Sequence, residues 1–139
     1  MKAIIMLTDS AQAVDGKLYI LGGGWNVTGP VMPPFGIAVL MELPWDQADR
    51  KHNFRLDLLD EDGSPVIIDG RNGPEALSAS GELEVHRPPE LKPGTPLSVP
   101  FAINWGALPL APGRRYIWQL TIDGEWSVFF DVRPAVADV

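Results

Sequence analysis

Apolar and polar residues alternate along much of this chain. Phe54-Arg55-Leu56-Asp57-Leu58 and Tyr116-Ile117-Trp118-Gln119-Leu120-Thr121-Ile122 are the plainest stretches, and the second runs into Asp123-Gly124. A period of two puts one face of an extended segment on a core and the other in water. The alternation is cut repeatedly by Asp-Gly, Gly-Gly and Pro-Gly, which supply turn chemistry. The pattern predicts strands rather than helices. Residues 3–7 read as the first strand, and Lys2–Thr8 is expected to pair with Lys17–Leu21 around Asp15-Gly16. Phe35–Leu43 is an almost continuous apolar run, as in a strand covered on both faces or a central one. Residues 52–59, 66–68 and 78–87 follow as strands. Leu97–Trp105 reads as a strand whose Pro100 suggests an edge or a bulge. Residues 116–122 and 126–132 make the clearest hairpin.

Between these runs, residues 28–34, 69–77 and 86–96 have turn or loop composition. The last of these is Pro-rich and should be extended and semi-rigid. Residues 44–49 could form one helical turn. Gly22-Gly23-Gly24 should break or bulge the strand before it and aim Trp25, with pairing resumed at Trp25 and Val27. The expected fold class is therefore all-β: an antiparallel two-sheet sandwich, immunoglobulin-like, of about eight or nine short strands. Residues 1–133 form one domain and 134–139 a C-terminal tail.

Composition narrows the functions. The chain has 139 residues, 45% hydrophobic and 21% charged, which supports one real core. Its formal net charge of −7 disfavours nucleic acid and anionic lipid as partners. With no cysteine, disulfides, thiolate metal sites and cysteine nucleophiles are excluded, and a reducing, cytoplasmic setting is expected. No run approaches the ~20 apolar residues of a membrane-spanning helix. The short apolar run at the start is interrupted by Thr8-Asp9-Ser10 and reads as strand, not as a leader.

Four segments carry a resemblance. They are Asp15-Gly16-Lys17-Leu18-Tyr19-Ile20-Leu21-Gly22-Gly23-Gly24-Trp25, Pro44-Trp45 with the polar turn to His52, Leu58-Leu59-Asp60-Glu61-Asp62-Gly63, and Pro112-Gly113 through Asp123-Gly124. Together the chain resembles a family of short bacterial proteins, common in actinobacteria, classed only as a domain of unknown function. The resemblance implies no activity. The final third is also similar, at the level of fold, to immunoglobulin-like and fibronectin-like modules.

Candidate chemistry is sparse. The glycine triplet lacks the helix start and the Lys-Ser/Thr of a phosphate cradle. Asp60, Asp62 and Asp69 could supply oxygen ligands to Ca²⁺, but the spacing lacks the rest of a calcium loop. His52 and His86 are the only histidines. Either could be drawn into a triad with Ser10, Ser64, Ser78, Ser80, Ser98 or Ser127, yet no Gly-x-Ser-x-Gly is present. Both histidines read as surface residues beside a basic neighbour. Glu82 and Glu84 alternate with Leu83 and Val85 and read as a solvent face.

That leaves five tryptophans. Trp118 and Trp126 follow the apolar register and belong to the core. Trp25, Trp45 and Trp105 are the better candidates for an exposed interaction surface. The expectation is a non-enzymatic protein without catalytic residues, metal or cofactor. It would act by contact with a protein partner or as a homo-oligomer. The alternatives are a small-ligand or carbohydrate-binding module using exposed tryptophan, and a hydrolase with a dispersed site.

Overall fold

In the computed structural model, which describes residues 1–135, the alternating segments are strands and no α-helix forms among the described residues. In chain order they are β1 (Lys2–Thr8), β2 (Ser10–Val14), β3 (Lys17–Leu21), β4 (Val27–Thr28), β5 (Phe35–Leu43), β6 (Lys51–Asp60), β7 (Ile67–Gly70), β8 (Gly73–Ala76), β9 (Ser78–Glu84), β10 (Leu97–Trp105), β11 (Arg115–Thr121) and β12 (Glu125–Val132). One 3-10 turn among the described residues, Trp45–Gln47, follows Pro44. The fold is all-β, as the period of two predicts. No helix of the described residues is long and apolar enough to cross a membrane. Of the expected tail, residues 136–139 lie outside the described residues.

The strands form four sheets: β1-β5-β10, β4-β12-β11-β6-β9, and the ribbons β2-β3 and β7-β8. Four expectations are corrected. Among the described residues, twelve strands replace about eight or nine, and four hydrogen-bonded sheets replace two. The pairing is also mixed, because β4 runs parallel to β12. The extra strands come from segments read as connections, β2 (Ser10–Val14) and β8 (Gly73–Ala76). The expected hairpin of β1 with β3 does not form. β1 pairs along its whole length with β5, from Lys2↔Glu42 to Thr8↔Gly36, and β3 pairs with β2. The reason is local. Asp15 (φ 51°) and Gly16 (φ 73°) both take left-handed backbone, the two-residue hairpin geometry that joins the strands immediately flanking it. Ser10–Val14 is therefore closed onto β3, and β1 is free to dock beside β5.

The two larger sheets contribute to one core. β1 and β5 supply Leu7, Phe35, Ile37, Val39 and Met41; β6, β11 and β12 supply Leu56, Leu58, Trp118, Leu120, Phe130 and Val132. Each such side chain contributes roughly 1.5–3 kcal/mol by leaving water. Phe35 meets Trp118 with ring centroids 6.1 Å apart, and Phe54 meets Phe101 at 5.4 Å. β5 is central in its sheet and β10 is an edge, as the apolar run and Pro100 predict.

Candidate functional site

The odd-numbered residues of β1, β5 and β10 face the core, so the even-numbered ones form the other face of that sheet. Part of this outer face is covered. β2 and β3 fold back over it as an arm, which the Asn104 side chain fastens at Ala11. The Thr8 hydroxyl donates to the Gly36 carbonyl at 3.0 Å. The Asn104 side chain accepts from the Ala11 N–H at 3.1 Å and donates to the Ala11 carbonyl at 2.7 Å, taking the place of a neighbouring strand. Position 36 must be glycine for this approach, because a Cβ there would lie 2.5 Å from Asn104 Oδ1 and 2.8 Å from Thr8 Oγ1. Ala11 is the one fully buried residue of the arm.

Beyond the arm the outer face is bare and apolar. Ile4 and Pro100 flank Leu40 in register across the three strands. Ile4 is 62% exposed and Leu40 40%. The next row is Lys2, Glu42 and Ser98, with Lys2 Nζ 3.9 Å from Glu42 Oε2. The patch borders the arm, because Met6 of the sheet and Ile20 of the arm both lie against Gly23. The arm itself leaves Tyr19 at 55% and Leu21 at 69% exposure. Large apolar groups left in water on neighbouring strands mark contact surfaces.

The structure does not bring the three candidate tryptophans together. Trp105 ends β10 in the inward register of Val99, Phe101 and Ile103 and lies tilted against Trp118, ring centroids 5.1 Å apart. Trp25 stands edge-on to Phe35 and Phe130, 6.2 and 5.9 Å away. Both are half-buried members of an internal aromatic run. The buried indole N–H groups of Trp25, Trp105 and Trp118 have no hydrogen-bond partner among the described residues. Trp45 lies apart. It lines a groove of about 520 Å³ with Lys2, Glu42, Pro44 and Pro96. The Arg87 guanidinium sits 4.0 Å from its ring centroid, a cation–π contact. Arg87 Nε donates to Asp49 at 2.9 Å, and His86 Nδ1 lies 3.1 Å from the other Asp49 oxygen. The Arg87 hydrogen bond first, and the His86 one second, hold the Asp49 carboxyl below its ordinary value.

His52 is buried, not on the surface. Its Nδ1 lies 2.7 Å from Asp123 Oδ2 and its Nε2 2.7 Å from the Gln47 carbonyl. The ring thus ties the turn of the β11–β12 hairpin to the 3-10 turn. Both nitrogens face oxygens already in place, which leaves neither to activate a serine. The acidic turn is likewise self-contained: Asp60 Oδ1 accepts the N–H groups of Asp62 and Ser64, each at 2.9 Å. Among the described residues, no three His, Asp or Glu side chains converge as metal ligands. Glu82 faces solvent, 3.9 Å from Lys51.

Sequence reasoning weighed tryptophan for its size and missed Ile4, Leu40, Pro100 and Asn104. Parity is the signal that finds them. Once β5 is a central strand, its even positions need a cover, and the bulk at Leu40 exceeds what the short arm can reach. A family model matches residues 3–133, and its description is a family of unknown function, DUF6941. No curated protein matches the chain, and no solved structure does.

Proposed function

We propose that the chain, a member of DUF6941, a family of unknown function, is a non-enzymatic, immunoglobulin-like sandwich of its two larger sheets, of the cytoplasm, that works by contact between copies of itself. The observation that carries this reading is the apolar row Ile4, Leu40 and Pro100, its first two members exposed and Pro100 half-buried, beside the arm. Charge favours a second copy as its occupant. The molecule bears −7, yet this face carries one cation and one carboxylate side by side, Lys2 and Glu42. Two copies can therefore meet here without bringing like charges together. From strand spacing and rise, the bare half-sheet and the arm together offer on the order of 400 Å² per copy. A standard interface takes about 800 Å² per partner, so the association is weak and concentration-dependent.

The test is sedimentation or light scattering from about 10 μM to about 1 mM, a range suited to a small interface. The average mass is expected to rise above 15.2 kDa across that range. Leu40→Lys should abolish the rise while moving stability by no more than about 0.5 kcal/mol, as for other surface changes. A strict monomer at every concentration would overturn the reading. A second reading, a small-ligand module, draws on the Trp45 groove, whose indole is pinned by Arg87. Ligand-induced quenching of Trp45 fluorescence in a monomeric protein would favour it.

A further inference from the structure

His52 is buried, and each of its ring nitrogens lies 2.7 Å from an oxygen. Nδ1 faces the Asp123 carboxylate and Nε2 faces the Gln47 carbonyl. An ionised carboxylate and a carbonyl only accept hydrogen bonds. A neutral imidazole carries one N–H and can satisfy one of them. Its other nitrogen then sets a lone pair against an oxygen at hydrogen-bond distance. The imidazolium carries two N–H groups and satisfies both. Burial leaves the ring no water to replace a missing partner. The number of protons on the ring therefore decides whether the tie between the two turns is complete.

The two contacts are unequal. Asp123 offers a full negative charge and Gln47 a carbonyl dipole. A hydrogen bond to a charged acceptor is the stronger, so the proton lost first is the one on Nε2. Neighbouring charges are engaged elsewhere. On the strand of His52, Lys51 lies 3.9 Å from Glu82 of β9, and Arg55 bonds Asp57. Across the pair His52 faces Leu83, and Glu84 is exposed. In the loop before it, Arg50 donates to the Asp46 carbonyl, the Asp46 side chain is exposed, and Asp49 is held by Arg87 and His86. Among the described residues, Asp123 is the one charged side chain in ion-pair reach of the ring.

We infer that His52 is a pH-operated latch on the wall of the Trp45 groove. With two protons the ring holds the 3-10 turn to the β11–β12 turn. With one proton it keeps Asp123 and lets go of Gln47. Gln47 is the last residue of the turn that begins at Trp45, and no side chain caps that turn. Trp45 lines the groove with Lys2, Glu42, Pro44 and Pro96. The far side of the loop stays fastened. Arg87 covers the Trp45 ring and bonds Asp49, whose carboxyl is held below its ordinary value and so stays ionised. Histidine changes charge between about pH 5 and pH 8, so the latch is closed at the acid end of that range and open at the alkaline end. The device works within a single copy of the chain.

Ring-nitrogen NMR reads the latch directly, with His86→Gln assigning the signals. His52 should show both nitrogens protonated at about pH 5 and Nδ1 alone at about pH 8. The Gln47 amide, which donates to the Pro44 carbonyl, should lose about tenfold in exchange protection over that range once the intrinsic rate is divided out. The Asp49 amide, bonded to the Val85 carbonyl on the fastened side, should not. His86→Gln should leave this profile unchanged, and His52→Gln should flatten it. Asp123→Asn removes the charge with a side chain that tolerates the left-handed backbone at position 123 (φ 49°). It should move the loss of protection to lower pH, which a tie of shape alone would not do. A His52 ring that holds the same protons across the range, or a neutral ring protonated on Nε2, overturns the inference. So does equal protection of Gln47 at both ends. Should a variant fail to fold, the ring signals of the parent chain still decide.

Discussion

Two hairpins in this protein are written in the same local code and have opposite fates. β2–β3 turns at Asp15-Gly16 and β11–β12 at Asp123-Gly124. Both alternate in register across the pair. The second buries Tyr116, Trp118, Leu120, Phe130 and Val132, and the first buries Ala11 alone. The turn of the second is tied to the rest of the molecule through Asp123 and His52. The arm is tied by its base, through Asn104. Turn chemistry makes a hairpin, and what the hairpin is for depends on the volume carried on the face that meets the core. Ser10-Ala11-Gln12-Ala13 offers little volume, so the arm can lie on a sheet without becoming part of the interior.

Trp118→Ala should have the largest effect. The side chain is fully buried between Phe35 and Trp105, and its loss leaves a cavity worth about 3–5 kcal/mol. Denaturant unfolding should show that loss as an earlier midpoint for the whole molecule. An equal loss from Tyr19→Ala in the arm would erase the contrast between the hairpins.

His52→Ala comes next. It leaves the part-buried Gln47 carbonyl without its partner and releases the Asp123 turn, at a cost of about 1–3 kcal/mol. Hydrogen exchange should quicken first at the β11–β12 turn. Exchange unchanged there would show that the tie holds nothing.

Asn104→Ala should cost about 1–2 kcal/mol, since two hydrogen bonds to Ala11 are lost. Its mark is locality: amides of β2 and β3 should exchange faster while those of β11 and β12 do not. Equal acceleration in both hairpins would mean that the arm belongs to the core's cooperative unit.

Acid provides the gentlest test. The Asp131 carboxyl is held below its ordinary value, chiefly by the Arg115 hydrogen bond, and Asp49 by that of Arg87. Carboxyls lowered in the folded state add stability above their ordinary value of about 3.9. That stability is lost as pH falls through their folded values. Both are exposed, so salt and solvent keep the effect small. The melting temperature of Asp131→Asn should fall less between pH 5 and pH 3, the ordinary carboxylate range, than that of the parent chain. Parallel curves would remove the pair from the account.

Much of this was legible along the chain. The strand class, the central place of Phe35–Leu43, the edge at Pro100 and the β11–β12 hairpin all rest on period-two burial and on single residues with strong backbone preferences. These signals are local, and one sequence carries them in full. The partner of β1, the four-sheet arrangement, the burial of His52 and the inward turn of Trp25 and Trp105 were not legible. Each depends on which distant strand lies alongside, and pairing energies differ too little between candidate partners for a pattern of apolar residues to choose. The candidate surface belongs to this second kind. Ile4, Leu40 and Pro100 are ordinary strand residues one at a time, and they came to lie side by side on one face when β1 and β10 took opposite sides of β5, with Ile4 and Leu40 left exposed.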